Sequence, residues 1–280
     1  MVTLILAFMM QFTVSTRAGF VNYVQGSANV SVTQTVGDRS PIRTGDGAFL
    51  EVLLKPGSYL RLAGNTEVEL DGVELPDMGV RVISGTVLIE AAGYDKRTPL
   101  TIGVGNLKGQ IVADGIYLVS DGNVLVLDGK MLTSGSTTTY GKGWQLSQVD
   151  AFQAAKVGKR QPLPLELWSK RRSDEAARAN FEVGSSLREE PNVKISSLFD
   201  VWLWSPGFGG FTYMPGYGFR SPYGRQYLAV RDIFVVGGLV LGRDHRPGSD
   251  TGPTDTTATA TNPSPTPAPP APRPAPPAPK

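Results

Sequence analysis

The sequence predicts a mainly-β protein built on an antiparallel β-sandwich of jelly-roll type. Two observations support this prediction. Between positions 19 and 146, the predicted β-domain, apolar and polar residues alternate in short runs bounded by glycine or proline, which is the pattern of half-buried strands. The chain also contains 33 Gly and 22 Pro in 280 residues, too many for a mostly helical fold.

The first 18 residues are predicted to be a signal peptide or a short anchor. Val2–Val14 is almost wholly apolar, and Thr16-Arg17-Ala18 places small residues at the −3 and −1 positions of a cut after Ala18, as in secretory signals. A spanning helix needs about 20 apolar residues, so a cleaved leader is favoured over a retained anchor. A buried first strand is the third alternative. After cleavage we expect no integral membrane span.

The predicted β-domain shows its alternation clearly around Glu51. Leu50, Val52 and Leu54 share one face of the run, and Glu51 lies on the other face, as in a strand with one buried side. Lys55-Pro56-Gly57-Ser58 follows and predicts a hairpin turn, because proline presets φ and glycine tolerates positive φ.

A linker with one short charged helix is predicted for residues 147–198. Pro164 fits the first turn of this helix and Gly184 fits its end, since proline is tolerated at the first helical position and glycine favours a stop. Arg171 and Arg172 are candidates for attracting an acidic partner or lipid headgroups. Acidic residues at four-residue spacing along the same helix favour a solvated face instead.

An aromatic and glycine-rich segment is predicted for residues 199–246. Ten aromatic residues fall within positions 199–227, and two interpretations stay open. The favoured one packs the rings onto the β-domain or the helix, as core that a glycine-rich segment otherwise lacks, with Trp202, Trp204, Phe208 and Phe211. The other is stacking on carbohydrate or peptidoglycan by exposed rings, for which the candidates are Tyr213, Tyr217, Tyr223 and Tyr227.

The C-terminal residues 247–280 are predicted to be a disordered proline- and alanine-rich tail. They contain 12 prolines in 34 positions and no aromatic residue. A segment of this composition cannot bury a core and favours local polyproline II conformation.

Composition excludes several kinds of protein. A net charge of +2 provides no general field for nucleic acid. The absence of cysteine removes disulfides, thiol nucleophiles, iron–sulfur ligation and zinc–thiolate sites. His245 is the single histidine, so a two-histidine metal site and a Ser/His triad are both disfavoured.

Three local patterns resemble chemical sites but depart from what those sites require. The glycine-rich runs at 103–109 and 135–143 depart from the spacing of dinucleotide and phosphate-binding loops. Glu67, Glu69 and Asp71 alternate along one run, which favours a solvated strand face over a calcium site. We therefore expect no catalytic residue, no cofactor and no metal.

The β-domain resembles the FecR domain, a periplasmic β-domain named after a ferric-citrate signalling regulator. The resemblance rests on an ordered succession of short motifs: Gly19-Phe20-Val21, Val36-Gly37-Asp38, Ile42-Arg43-Thr44, Ala48-Phe49-Leu50-Glu51-Val52-Leu53-Leu54, Pro56-Gly57-Ser58-Tyr59-Leu60-Arg61-Leu62 and Val82-Ile83-Ser84-Gly85-Thr86-Val87. The later segment with Trp168 and Arg171-Arg172 looks like the helix that follows this domain in many exported bacterial proteins.

The resemblance implies a periplasmic β-module that faces a ligand or a partner. Together with the leader and the lack of a catalytic constellation in the sequence, it predicts a non-enzymatic, exported protein that binds or scaffolds in the periplasm or cell envelope. An envelope protein or a cell-wall polymer is the expected partner. In the family, the signalling regulator also has a cytoplasmic helical region that handles a sigma factor, and a membrane span. The alternative is therefore a transmembrane signalling regulator, an anti-sigma component of FecR type, without its cytoplasmic part in this reading frame.

Overall fold

The computed structural model describes residues 12–13, 18–74, 77–148, 151–189 and 198–234. The predicted tail at 247–280, the end of the predicted aromatic segment and most of the leader lie outside the described residues. Among those described, no helix is long and apolar enough to cross a membrane.

The described chain is mainly β, as the sequence predicts, with one long helix and one short helix. In chain order the elements are β1 (Phe12–Thr13), β2 (Phe20–Gln25), β3 (Ile42–Arg43), β4 (Phe49–Leu53), β5 (Tyr59–Leu62), β6 (Glu67–Leu70), β7 (Gly79–Ser84), β8 (Thr86–Ala91), β9 (Thr101–Val104), β10 (Leu107–Ser120), β11 (Asn123–Thr133), β12 (Thr139–Gly141), β13 (Trp144–Gln148), β14 (Phe152–Lys156), α1 (Pro164–Glu189), β15 (Val201–Ser205), β16 (Gly210–Met214), β17 (Phe219–Arg220), β18 (Gln226–Tyr227) and α2 (Val230–Phe234).

One large sheet forms the body of the fold. Its strand order is β2-β4-β5-β8-β10-β9-β7-β6-β3, and β11 to β14 continue it beyond β10. Neighbouring strands are antiparallel except β7 and β9, which are parallel. Apolar residues from β2 through β13 belong to a single buried cluster, so the sheet curls around its own core.

The curl depends on an irregularity in β10. Its register against β11 shifts between Ala113 and Tyr117, and such bulges bend a strand. Gly115 lies close against the partner strand: a Cβ atom at this position would be 2.2 Å from the Asp128 carbonyl oxygen. The Tyr117 hydroxyl oxygen lies across the bulge, 2.6 Å from the Ala113 carbonyl oxygen and 2.9 Å from the Lys130 carbonyl oxygen, which share its single proton.

Two local predictions are confirmed. The turn at Lys55–Ser58 is closed by the Ser58 amide, which donates to the Lys55 carbonyl at 2.8 Å, and Gly57 has a φ of 76°. Helix α1 begins at Pro164, as the sequence predicts.

The predicted helix end at Gly184 is wrong, because α1 continues to Glu189. A Cβ atom at Gly184 would lie 2.7 Å from Leu228 Cδ2 and 3.2 Å from Ile233 Cδ1. This glycine therefore allows the segment after β18 and helix α2 to approach α1 closely, and its role is packing rather than termination.

The boundary between leader and β-domain is built into the fold. Ala18 is fully buried, and its amide donates to the Val73 carbonyl at 2.7 Å. The buried Gly19 amide donates to the Leu53 carbonyl at 3.0 Å. Farther upstream, β1 pairs antiparallel with β15, an arrangement related to the third alternative for the leader. Cleavage after Ala18 stays a prediction.

A chain that begins at Gly19 is expected to be less stable than one that begins at Thr16, by about 1–3 kcal/mol. It would carry an ammonium group in the buried position where Gly19 now presents an amide. Burial lowers the pKa of an ammonium group, so the unfolded state of this chain binds more protons than its folded state. The difference in free energy of unfolding between the two chains should therefore narrow as pH rises through about 8. Urea unfolding of both chains from pH 6 to 9 measures this. Equal stability at every pH would contradict it.

Candidate functional site

Four charged side chains lie buried between the sheet and α1. Glu51 on β4, Arg61 on β5 and Glu90 on β8 have fully buried side chains, and Arg172 on α1 is 4% exposed. We call these four residues the buried charge cluster. They stand out because charged side chains are rarely buried unless they are paired.

Arg61 is the centre of the cluster. Its Nε donates to Glu51 Oε2 at 2.7 Å and its Nη1 donates to Glu90 Oε2 at 2.6 Å. Register explains the geometry, because Glu51 lies directly opposite Arg61 across the β4–β5 pair. When both carboxylates are ionised, the sheet carries one excess negative charge at this point.

Arg172 cancels this charge from the helix side. Its Nη2 donates to Glu51 Oε1 at 3.1 Å. The guanidinium carbon lies 4.4 Å from the Tyr23 ring centroid and 4.0 Å from that of Phe208, so two aromatic rings also contact the cation. The predicted solvated face is therefore wrong for Arg172, although Arg171 is exposed.

Small polar residues of α1 complete the contact with the sheet. Ser169 Oγ accepts a hydrogen bond from Arg61 Nη1 at 2.7 Å, and Ser173 Oγ donates to Glu90 Oε1 at 2.9 Å. Ser169 precedes Arg172 by three residues and Ser173 by four, so the Ser169 side chain lies between the other two on the side of α1 that faces the sheet. Their short side chains let the helix approach the charged face of the sheet.

The same face of α1 holds the β15–β16 hairpin. Thr212 Oγ1 donates to the Ala176 carbonyl at 2.6 Å, and Asn180 Nδ2 donates to the Tyr213 carbonyl at 3.0 Å. Asn22 joins this hairpin to the cluster: its Nδ2 donates to Glu51 Oε1 at 2.8 Å, and its Oδ1 accepts from the Phe211 amide at 2.6 Å.

The two carboxylates have opposite pKa shifts. Burial favours the neutral form of Glu51, but the charges of Arg172 and Arg61, with hydrogen bonds from Arg61 and Asn22, outweigh it and lower the pKa to about 2. For Glu90, burial dominates and raises the pKa above its ordinary value, although Arg61 and Ser173 oppose the shift. Glu51 is therefore the permanent anion of the cluster.

Several buried donors near these elements have no hydrogen-bond partner among the described residues: Arg61 Nη2, Arg172 Nε and Trp202 Nε1. An unpaired buried donor costs about 1–3 kcal/mol. Such donors are the usual contact points of ordered internal water, and we expect water at these atoms.

The predicted tyrosine set is divided by the structure. Tyr213 and Tyr227 are 6% and 1% exposed, so their expected exposure is wrong. Tyr213 also donates to Asp200 Oδ1 at 2.7 Å. Tyr223 is half-buried, and its hydroxyl donates to Ser169 Oγ at 2.9 Å, which ties it to the cluster. Tyr217 alone of the four is strongly exposed, at 61%.

The physical reason is that these rings supply core. Trp202 and Phe211 are buried in one cluster with Leu53 and Tyr59 of the β-domain. The Trp202 and Tyr59 ring centroids lie 5.2 Å apart, edge to face. The packing interpretation therefore describes Trp202 and Phe211, and it extends to Tyr213 and Tyr227.

The acidic row on β6 is paired with arginines. Arg43 lies 2.7 Å from Glu67, and Arg81 lies 3.9 Å from Glu69 and 3.1 Å from Asp71. These partly exposed pairs fit the predicted solvated strand face. Within the described ranges, no group of three or more His, Cys, Asp or Glu side chains is arranged to hold a metal ion.

Sequence reasoning missed the buried charge cluster because each member sits in an ordinary polar position of its own element. Glu51 and Arg61 alternate with apolar residues, as on a solvated face. A usable signal was present in α1, where Ser169, Ser173, Ala176 and Asn180 repeat at helical spacing and mark a face suited to close packing.

The fold and the cluster thus define a curled β-module closed by a helix and an aromatic hairpin. No family model matches the chain, and no curated protein matches it. Among solved structures, two crystal structures of a candidate anti-sigma factor from Parabacteroides distasonis ATCC 8503, at 2.50 and 1.65 Å resolution, are similar at 15% and 14% identity with a TM-score of 0.35 each. Each match covers 42% of this chain and 59% of the solved chain. At these values the similarity carries no conclusion about activity or partners.

Glu51→Gln is expected to destabilise the protein at pH 7 by about 3–5 kcal/mol, because it leaves buried guanidinium charge uncompensated. In the parent protein the Glu51 contribution is present above its ordinary pKa of 4.5 and is lost as pH falls toward about 2. The gap between parent and variant should therefore shrink in acid. Glu90 has the opposite pH dependence. Because its pKa is raised in the folded protein, its contribution to stability increases as pH falls and the carboxyl group is protonated.

Urea unfolding between pH 2 and 7 measures both effects. The matched control is Glu67→Gln, which removes an ion pair with Arg43 on the surface and should change stability little. A Glu51→Gln variant as stable as this control at pH 7 would contradict a structural role for the cluster.

Tyr213→Ala and Tyr217→Ala should separate packing from surface exposure. We expect Tyr213→Ala to cost about 3–5 kcal/mol, because it empties a buried ring site. Tyr217→Ala should cost about 1 kcal/mol or less, since the ring is 61% exposed and lies against the exposed side chain of Arg231. Chemical denaturation gives the free energy of unfolding of both variants. Equal losses of stability would contradict the expected effect of burial.

Proposed function

We propose that the chain is a non-enzymatic, exported module of FecR type that binds or scaffolds other components of the bacterial envelope. One observation carries the proposal: the buried charge cluster is used to close the sheet with α1. The polar groups that a catalytic site would need are paired with one another and covered by the helix and the hairpin.

The geometry of Arg61 supports this assignment. A general acid or base must come within hydrogen-bond reach of a substrate atom. Arg61 and both of its carboxylate partners have fully buried side chains, and three of their remaining polar groups form hydrogen bonds with Ser169, Ser173 and Asn22. Their charges therefore stabilise the contact between the sheet and the helix.

Partner binding would then use the outer surface of the protein. Of the predicted polymer-binding tyrosines, Tyr217 keeps the exposure that stacking on a sugar ring requires. An envelope protein or a cell-wall polymer remains the proposed partner class. Nucleic acid is disfavoured, because the net charge is only +2.

Fractionation of cells that produce the full chain with a C-terminal tag tests the proposal. We expect release by osmotic shock and a mature N-terminus near Gly19, read by N-terminal sequencing. Retention in washed membranes with Met1 intact would instead favour the transmembrane signalling regulator. Recovery of an intact chain in the cytosolic fraction would contradict both.

A further inference from the structure

Among the described residues, β14 is an edge strand of the large sheet, with a neighbouring strand on one side only. β14 pairs only with β13 in the described chain, and four of its five residues are exposed, with Ala154 half-buried. Free strand edges are templates for pairing with another chain.

At two other sheet edges in the described chain, groups of this protein bond the outward main-chain atoms. Beside β2, the Val21 amide donates to the Gln34 carbonyl and the Val21 carbonyl accepts from the Thr33 amide, each at 2.9 Å. Beside β16, Asn22 bonds both the amide and the carbonyl of Phe211. No described residue forms such bonds along the outer side of β14.

The register identifies the outward main-chain groups of β14. The Val157 amide donates to the Gly143 carbonyl at 2.8 Å, which makes 143 and 157 a hydrogen-bonded pair of the β13–β14 ladder. Hydrogen-bonded pairs alternate along an antiparallel ladder. The N–H and C=O groups of Phe152, Ala154 and Lys156 therefore face away from β13.

These outward groups are self-complementary. We propose that β14 pairs antiparallel with β14 of a second copy of this chain, with Ala154 on the two-fold axis. Ala154 then faces its own copy, and Phe152 faces Lys156 of the second molecule. In this register every outward N–H and C=O of the three residues meets an acceptor or donor, as in an isologous contact.

The side chains agree with this register. Phe152 is 40% exposed, and the opposed lysine gives it a cationic partner in place of water. Lys156 already makes such a contact within the chain, where its Nζ lies 5.2 Å from the Trp144 ring centroid. The two Lys156 side chains lie at opposite ends of the paired strands, so like charges are not brought together.

The contact is small and the dimer is accordingly weak. β14 has five residues, and an interface of that size lies below the roughly 1,000 Å² typical of stable complexes. Association in the micromolar to millimolar range, on the order of what such interfaces support, is the expected behaviour. The pairing uses a surface separate from the buried charge cluster and holds whether or not the chain is exported.

Sedimentation equilibrium of the full chain tests the proposal. The parent should show a monomer–dimer equilibrium, and Phe152→Lys should weaken it by about tenfold or more, because the introduced ammonium group would face Lys156 of the second copy. The double variant Phe152→Lys with Lys156→Glu should restore association through opposite charges. A parent that stays monomeric up to about 1 mM, or a Phe152→Lys variant that associates like the parent, overturns the proposal.

Cysteine crosslinking tests the register directly, since the chain has no cysteine. Opposed residues of a hydrogen-bonded pair have Cα atoms about 5.5 Å apart, within disulfide range. Ala154→Cys should form a covalent dimer under mild oxidation. Ala155→Cys is the matched control and should not, because residue 155 would face Gln153 of the second copy. Equal crosslinking of the two variants overturns the register.

Discussion

The ion pairs of Arg61 are the constraint on which the rest of the described structure depends. A guanidinium in the interior is tolerated when carboxylates beside it match its charge. Glu51 and Glu90 supply two carboxylates from neighbouring strands, which overcompensates the charge, and Arg172 of α1 restores neutrality. Helix α1 therefore covers the sheet and also supplies the cation that balances the charge of the sheet.

This arrangement also determines where the helix sits. An apolar helix face tolerates sliding, because hydrophobic contacts have no direction. Here a shift of α1 by one residue would separate Arg172 from Glu51 and would remove Ser173 from Glu90, leaving buried charges unpaired. We infer that the cluster contributes more to uniqueness of the packing than to net stability, as in other systems where buried polar groups specify register.

Local features of the fold were predictable from the sequence, and contacts between distant segments were not. The strand around Glu51, the turn at Lys55–Ser58 and the helix start at Pro164 follow from alternation, turn chemistry and proline geometry. The predicted solvated position of Arg172 is wrong because its partner Glu51 lies 121 positions away in the sequence. Tyr213 was misread for the same reason: proline and glycine nearby indicate an exposed loop, but its burial depends on the β-domain beneath it.

The hydrogen bonds of Asn22 have a consequence for how the chain acquires its structure. Asn22 contacts Phe211 across 189 positions, and Arg61 contacts Ser169 across 108. Closure of loops this long is entropically costly and slows folding. A chain that emerges from its N-terminus must hold the charged face of β4, β5 and β8 in water until the hairpin arrives. During that interval the apolar side chains of the sheet that the hairpin later covers, Leu53 and Tyr59, are exposed, so the nascent protein is a natural client for holding chaperones.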